Sequence, residues 1–183
     1  MNDRFEQERR DNVSGYIIRM WHLEDLLRAA RFDVTTIKEN LVDPMDADEE
    51  LRERALKWYV TLADRMVSEG VAEGGHLRDV DEALNELEQL HQALLADAVD
   101  PTYAALYREV EPAIQTLSRQ GDGTEHGVIE TCFTGIYGVM VLQAQGRELS
   151  EATVEADRLL RKLMEQLSVH YRNMRKMPGI SLN

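Results

Sequence analysis

Val128-Ile129-Glu130-Thr131-Cys132-Phe133-Thr134-Gly135-Ile136-Tyr137-Gly138-Val139-Met140-Val141-Leu142 is the stretch on which the fold turns. Its apolar residues cover nearly the whole circumference of a helix, and a helix apolar all round belongs in the middle of a helical protein. Its longest apolar run, Phe133 to Leu142, contains Thr134, Gly135 and Gly138 and is well short of the roughly 18 residues a membrane-spanning helix needs. Gly135 and Gly138 each cost about 1 kcal/mol of helix propensity, which points to close approach by a neighbouring helix.

The segments around it read as amphipathic helices. Val13, Ile17, Met20, Leu23, Leu27 and Ala30 share one helical face, as do Leu51, Ala55, Trp58, Leu62 and Met66. Val80, Leu84, Leu87, Leu94 and Leu95 repeat the three-and-four spacing, and so do Leu160, Leu163, Leu167, Tyr171 and Met174. An Asp, Ser or Thr followed by an acidic residue marks most helix starts. These are Asp3 with Glu6, Thr36 with Glu39, Asp46 with Glu49, Asp79 with Glu82, Asp122 with Glu125, and Ser150 with Glu151. Asp100 precedes Pro101, a proline in the favoured first helical position. Gly70, Gly121 and Gly146 stand at expected helix ends, and Pro112 predicts a kink or break within the fifth helix.

The expectation is an all-α, single-domain bundle of six or seven helices over residues 1–176 around a central apolar helix at about 124–145, with a tail at 177–183. Composition agrees. The chain has 183 residues, 43% of them hydrophobic and 30% charged, which suits one globular domain. Its 4 prolines and 11 glycines leave little punctuation for a many-stranded β fold.

The formal net charge of −13 repels phosphate backbones and anionic headgroups, so neither nucleic acid nor membrane is an expected partner. Arg158, Arg161, Lys162, Arg172, Arg175 and Lys176 make the C-terminal helix locally basic, which reads as dipole complementation and pairing with acidic neighbours. The single cysteine, Cys132, rules out an internal disulfide and a cysteine-based zinc site. The charged stretch Met1–Arg10 lacks the apolar core of a signal peptide, so the expected location is the cytoplasm.

A few polar residues fall where apolar ones are expected. Glu24 lies on the core stripe of the first helix and needs a partner; Arg28, four residues on, is the nearest candidate, with Trp21 and Asp25 adjoining. Glu130 lies on the apolar sixth helix, with His126 four residues before and Tyr137 seven after. It reads either as a surface ion pair or as a general base. His91 faces the core, and Glu88 stands three residues before it, the Glu-x-x-His spacing of di-iron bundles. Such a site needs that motif on a second helix. Glu73 and His76 repeat the spacing, but around Gly74 and Gly75, in a loop. The acidic stretch Asp43 to Glu50 lacks the mid-loop glycine of a calcium hand.

Tyr16-Ile17-Ile18-Arg19-Met20-Trp21-His22-Leu23-Glu24-Asp25-Leu26-Leu27-Arg28-Ala29 resembles the opening of an uncharacterised bacterial family, one of the domains of unknown function. Trp58-Tyr59, Glu69-Gly70 through Glu73, Gly75-His76-Leu77, Leu90-His91, Pro101 to Tyr107, Glu130-Thr131-Cys132-Phe133 and Tyr137-Gly138 extend the resemblance over nearly the whole chain. It implies a compact helical cytoplasmic protein of about this length and carries no activity or catalytic residue. His22 and the acidic tract Asp43 to Glu50 depart from it.

Three functions fit these residues. One is an interaction module that pairs with a second copy or another protein through an apolar helix face. Another is a small-molecule binder or enzyme with a pocket drawn from Trp21, Glu24, Asp25, Arg28, His76, His91, Glu130 and Tyr137. The third is a metal-binding bundle using Glu24, Glu88, His91 and Glu130, with Glu88 and His91 the weak metal candidates. The interaction module ranks first, and no cofactor is expected.

Overall fold

The computed structural model describes residues 2–96, 100–120 and 126–176, with side chains from Phe5 onward. Among the described residues the chain forms eight α-helices, one π-helical turn and no strand, so the fold is all-α. The helices are α1 (Asn2–Asp11), α2 (Val13–Ala29), α3 (Val34–Ile37), α4 (Glu49–Ser68), α5 (Arg78–Ala96), α6 (Pro101–Gln120), α7 (Val128–Ala144) and α8 (Glu151–Lys176). The π turn, Lys38–Val42, follows α3 directly and closes with the Asp43 amide donating to the Lys38 carbonyl at 2.9 Å. None of these helices is long and apolar enough to cross a membrane. The expected tail at 177–183, the helix start at Asp122 and Glu125, and the helix end at Gly121 lie outside the described residues.

Contacts divide the chain into two compact units, Met1–Arg9 with Gly15–Glu82, and Arg10–Ser14 with Ala83–Asn183. In the first, the buried side chains include Ile17, Met20, Leu27, Ile37, Ala55, Leu62, Met66 and Leu77. In the second, α6, α7 and α8 pack against one another in pairs. Leu87, Tyr103, Val110, Phe133, Leu163, Leu167 and Tyr171 are buried there. Each large apolar side chain removed from water stabilises its unit by about 1.5–3 kcal/mol.

Helix starts follow the expected chemistry, with shifts in register. Asp33, not Thr36, caps α3, accepting from the Thr36 amide at 2.8 Å and its hydroxyl at 2.7 Å. Asp48, not Asp46, caps α4 through the Leu51 amide at 2.8 Å. Asp100 caps α6 as expected, accepting from the amides of Thr102 and Tyr103, and its other oxygen accepts from His170 Nε2 at 2.9 Å. These bonds, that to Tyr103 first, hold the Asp100 carboxyl below its ordinary range. Ser150 caps α8 through the Thr153 amide at 3.1 Å.

Three expectations are corrected. The first helix divides at Asn12 into α1 and α2. Glu8, on α1, reaches Arg19, on α2, at 3.0 Å; eleven residues along one straight helix would set them about 16 Å apart, so α1 folds back. Of the kink or break expected at Pro112, the break is absent, since α6 runs through the proline. The proline is exposed, where solvent can satisfy the carbonyl it leaves without a donor. The apolar circumference of α7 is buried only in part: Ile129, Cys132, Phe133, Ile136 and Val139 face inward, while Thr134, Gly138 and Val141 are exposed.

The two helical glycines of α7 therefore differ. A Cβ at Gly135 would sit 2.6 Å from Leu117 Cδ1 and 3.0 Å from Leu160 Cδ1, so the close approach is real there. At Gly138 nothing lies within 4 Å. The end of α2 is unusual: Arg31 and Phe32 both take left-handed backbone, φ 52° and 58°, and the Phe32 amide closes the turn on the Leu27 carbonyl at 3.1 Å. Gly138→Ala should raise stability by about 1 kcal/mol through helix propensity, and Gly135→Ala should forfeit that gain to crowding. Urea denaturation of the two variants checks this.

Candidate functional site

Glu24 is fully buried on α2. Its expected partner, Arg28, is not its partner. Glu24 Oε1 accepts from the Leu77 amide at 2.9 Å, and Oε2 accepts from His76 Nδ1 at 2.6 Å. Leu77 is the residue before α5, and its own carbonyl accepts the first helical bond, from Asp81. The next amide, Arg78, donates to Glu69 Oε2 at 2.8 Å. Two carboxylates, one on α2 and one on the residue that ends α4, thus satisfy the first donors of α5, where a helix N-terminus favours negative charge.

The remaining side chains of this cluster tie down the loop before α5. The His76 ring stacks on Trp21 with centroids 4.4 Å apart and planes 3° apart. Arg28 pairs with Asp25 at 3.1 Å and donates to the carbonyl oxygens of Val71, at 3.1 Å, and Gly75. Five residues singled out in the sequence, Trp21, Glu24, Asp25, Arg28 and His76, therefore gather at one place in the first unit.

The other three lie in the second unit, each with its own surroundings. His91 is fully buried and hydrogen-bonded through Nδ1 to the Tyr103 hydroxyl at 2.7 Å, and its Nε2 has no hydrogen-bonding partner among the described residues. Burial lowers its pKa and keeps it neutral. Its ring also meets the Tyr107 ring edge-on at 4.8 Å. Glu130 meets His126 Nδ1 at 2.8 Å, both side chains about a third exposed, so its partner is this histidine one turn away and not an arginine from elsewhere. Tyr137 is half-buried.

Both carboxylate oxygens of Glu88 are already hydrogen-bonded. Its Oε2 accepts from the Ile129 amide at 2.9 Å, and Oε1 accepts from Gln92 at 2.9 Å. It caps α7 from α5, because the helix's own N-cap is Gly127, which has no side chain to do so. A Cβ at Gly127 would stand 3.0 Å from Glu88 Oε2, so the glycine also makes room for this carboxylate. Among the described residues no three His, Cys, Asp or Glu side chains gather as a metal-binding set. Cys132 is buried, and burial pushes its thiol up to about 12.

Sequence reading missed a small open cleft in the first unit, with a cavity volume of about 70 Å³. Tyr16 and Met20 come from α2, Leu62 from α4, and Phe5 stacks on Trp58 at 4.6 Å with planes 11° apart. Glu6, Arg9, Arg65 and Asp79 supply the charges. Arg65 is itself braced by Asp79 at 2.9 Å and Glu69 at 3.0 Å. Burial raises Tyr16 to about 12, so its hydroxyl stays protonated. The signal available in the sequence was Phe5, the one apolar side chain of an otherwise polar helix.

Three of the six basic residues named on α8 pair with carboxylates. Arg158 holds Glu155 through two bonds, Arg161 holds Asp157 at 2.8 Å, and Arg175 holds Glu86.

Glu24→Ala leaves the Leu77 amide and His76 without their acceptor and should cost about 3–5 kcal/mol. Glu24→Gln keeps one acceptor for Leu77 and should cost about 1–3 kcal/mol. Equal losses for both variants in chemical denaturation would show that the carboxylate does not hold α5.

No match to the chain is found among the curated proteins, and none among the solved structures. Residues 5–177 match a family whose described character is a domain of unknown function, and the chain belongs to that family, DUF4924.

Proposed function

We propose that this protein is a binding module whose contact site is the Trp58 cleft of the first unit. The observation that carries the reading is the Phe5–Trp58 stack beside Tyr16, Met20 and Leu62, with charges of both signs around them. An aromatic wall with a few placed polar groups is the usual make-up of a recognition site. The guest that fits is an aromatic side chain flanked by polar groups, as a peptide presents it.

The inward ionisable groups support binding over catalysis. Glu24 and Glu88 are committed to helix N-termini, and burial keeps His91 neutral and Cys132 protonated. A protein or peptide partner in the cytoplasm is the setting this reading implies, and the net charge of −13 opposes nucleic acid and anionic membrane as partners.

N-acetyl-phenylalaninamide is a suitable probe, titrated against the protein while the indole signal of Trp58 and the ring signals of Tyr16 are followed by NMR. Shifts should concentrate at Phe5, Tyr16 and Trp58. Phe5→Ala should tighten binding by vacating the stack, and Trp58→Ala should abolish it. Shifts scattered over the surface, or unchanged by Trp58→Ala, would sink the reading.

A further inference from the structure

Glu24 gives one carboxylate oxygen to the Leu77 amide and the other to His76 Nδ1, at 2.6 Å. A carboxylate oxygen accepts, so Nδ1 carries the ring proton and Nε2 keeps its lone pair. That lone pair is uncommitted. His76 Nε2 makes no hydrogen bond among the described residues, and it is not sealed from solvent as Nε2 of His91 is. The His76 side chain is 23% exposed above a carboxylate that is not exposed at all.

The ring is also held still. It lies flat on Trp21, 4.4 Å between centroids and 3° between planes, and Arg28 fixes the carbonyl of the preceding Gly75. A buried acid that orients a histidine, and leaves its second nitrogen to solvent, is the arrangement of an activated imidazole. Two other histidines among the described residues meet carboxylates, and both pairs differ from this one. Glu130, beside His126, is 33% exposed, and Asp100, beside His170, is 27% exposed.

We propose that His76 is a nucleophile that takes acyl groups onto Nε2 from small uncharged donors such as esters, with Glu24 as its positioning residue. The formal net charge of −13 opposes anionic donors. In the reaction the Nε2 lone pair bonds to the acyl carbon, the bond from that carbon to the leaving oxygen breaks, and the leaving group departs with the electron pair. The Nδ1 proton passes to Glu24 Oε2, so the acyl-imidazole forms without charge. Water then adds its hydroxyl to the acyl carbon and its proton to solvent. The bond to Nε2 breaks, and Nδ1 recovers its proton from Glu24. His76 does not line the Trp58 cleft, and this chemistry does not depend on what the cleft binds.

Diethyl pyrocarbonate, an uncharged acylating agent, tests this on the folded chain, with mass spectrometry locating the label. His22 is exposed on the same helix as Glu24 and serves as the internal reference for an ordinary imidazole. Exposure alone would label His22 first, whereas the proposal requires His76 to label first. Glu24→Gln sets an amide nitrogen, a donor, against Nδ1 and so moves the ring proton to Nε2. Labelling of His76 should then slow by about tenfold or more while His22 keeps its rate. Hydrolysis of p-nitrophenyl acetate should proceed through acetyl-His76, and His76→Gln should lose most of the wild-type rate. The proposal is overturned if His76 labels no faster than His22, if folded Glu24→Gln labels at the wild-type rate, or if ester hydrolysis survives His76→Gln. The first and third of these hold even if Glu24→Gln fails to fold.

Discussion

A charged carboxylate shut away from water is tolerable only where donors surround it, and Glu24 meets that condition at the start of α5. The bond to the Leu77 amide places the first turn of α5 against α2. The bond to His76 draws the preceding loop inward, where the imidazole lies flat on Trp21 and Arg28 grips two loop carbonyls. One acidic side chain thus sets where a loop ends and a helix begins.

The device recurs. Glu69 takes the Arg78 amide beside it, and Glu88 takes the Ile129 amide at the head of α7. In each case an earlier helix supplies the cap that a later one lacks. Glu24 and Glu88 lie 53 and 41 positions from their donors, so those two bonds fix tertiary as well as local structure, whereas Glu69 reaches 9 positions along the chain. A helix N-terminus and a carboxylate suit each other electrostatically, which explains why acidic residues appear on otherwise apolar stripes.

This also explains what was legible. Helical periodicity identified the segments, and caps from a neighbouring residue, at Asp100 and Ser150, were placed correctly. Caps delivered from another helix carry no local signature, so the start of α5 was read at Asp79, two residues past the Leu77 amide that Glu24 holds. The cluster around Glu24 was partly visible: Trp21, Asp25 and Arg28 follow from one helix face, whereas the bond to His76 spans 52 positions and does not. The cleft stayed hidden because it exists only once the chain folds back at Asn12, a favoured helix-start residue masked by the apolar stripe that continues past it. Gly138 misled for a simpler reason: propensity records a glycine's cost, and only packing reveals whether a neighbour uses the space.

The sealed sulfur of Cys132 has a bearing on how this molecule ages. Oxidants act on an accessible thiolate, and the native fold presents neither the access nor the charge. Chemical injury at this position is therefore a mark left on chains that have come apart, so the oxidation state of one atom keeps a tally of folding failures.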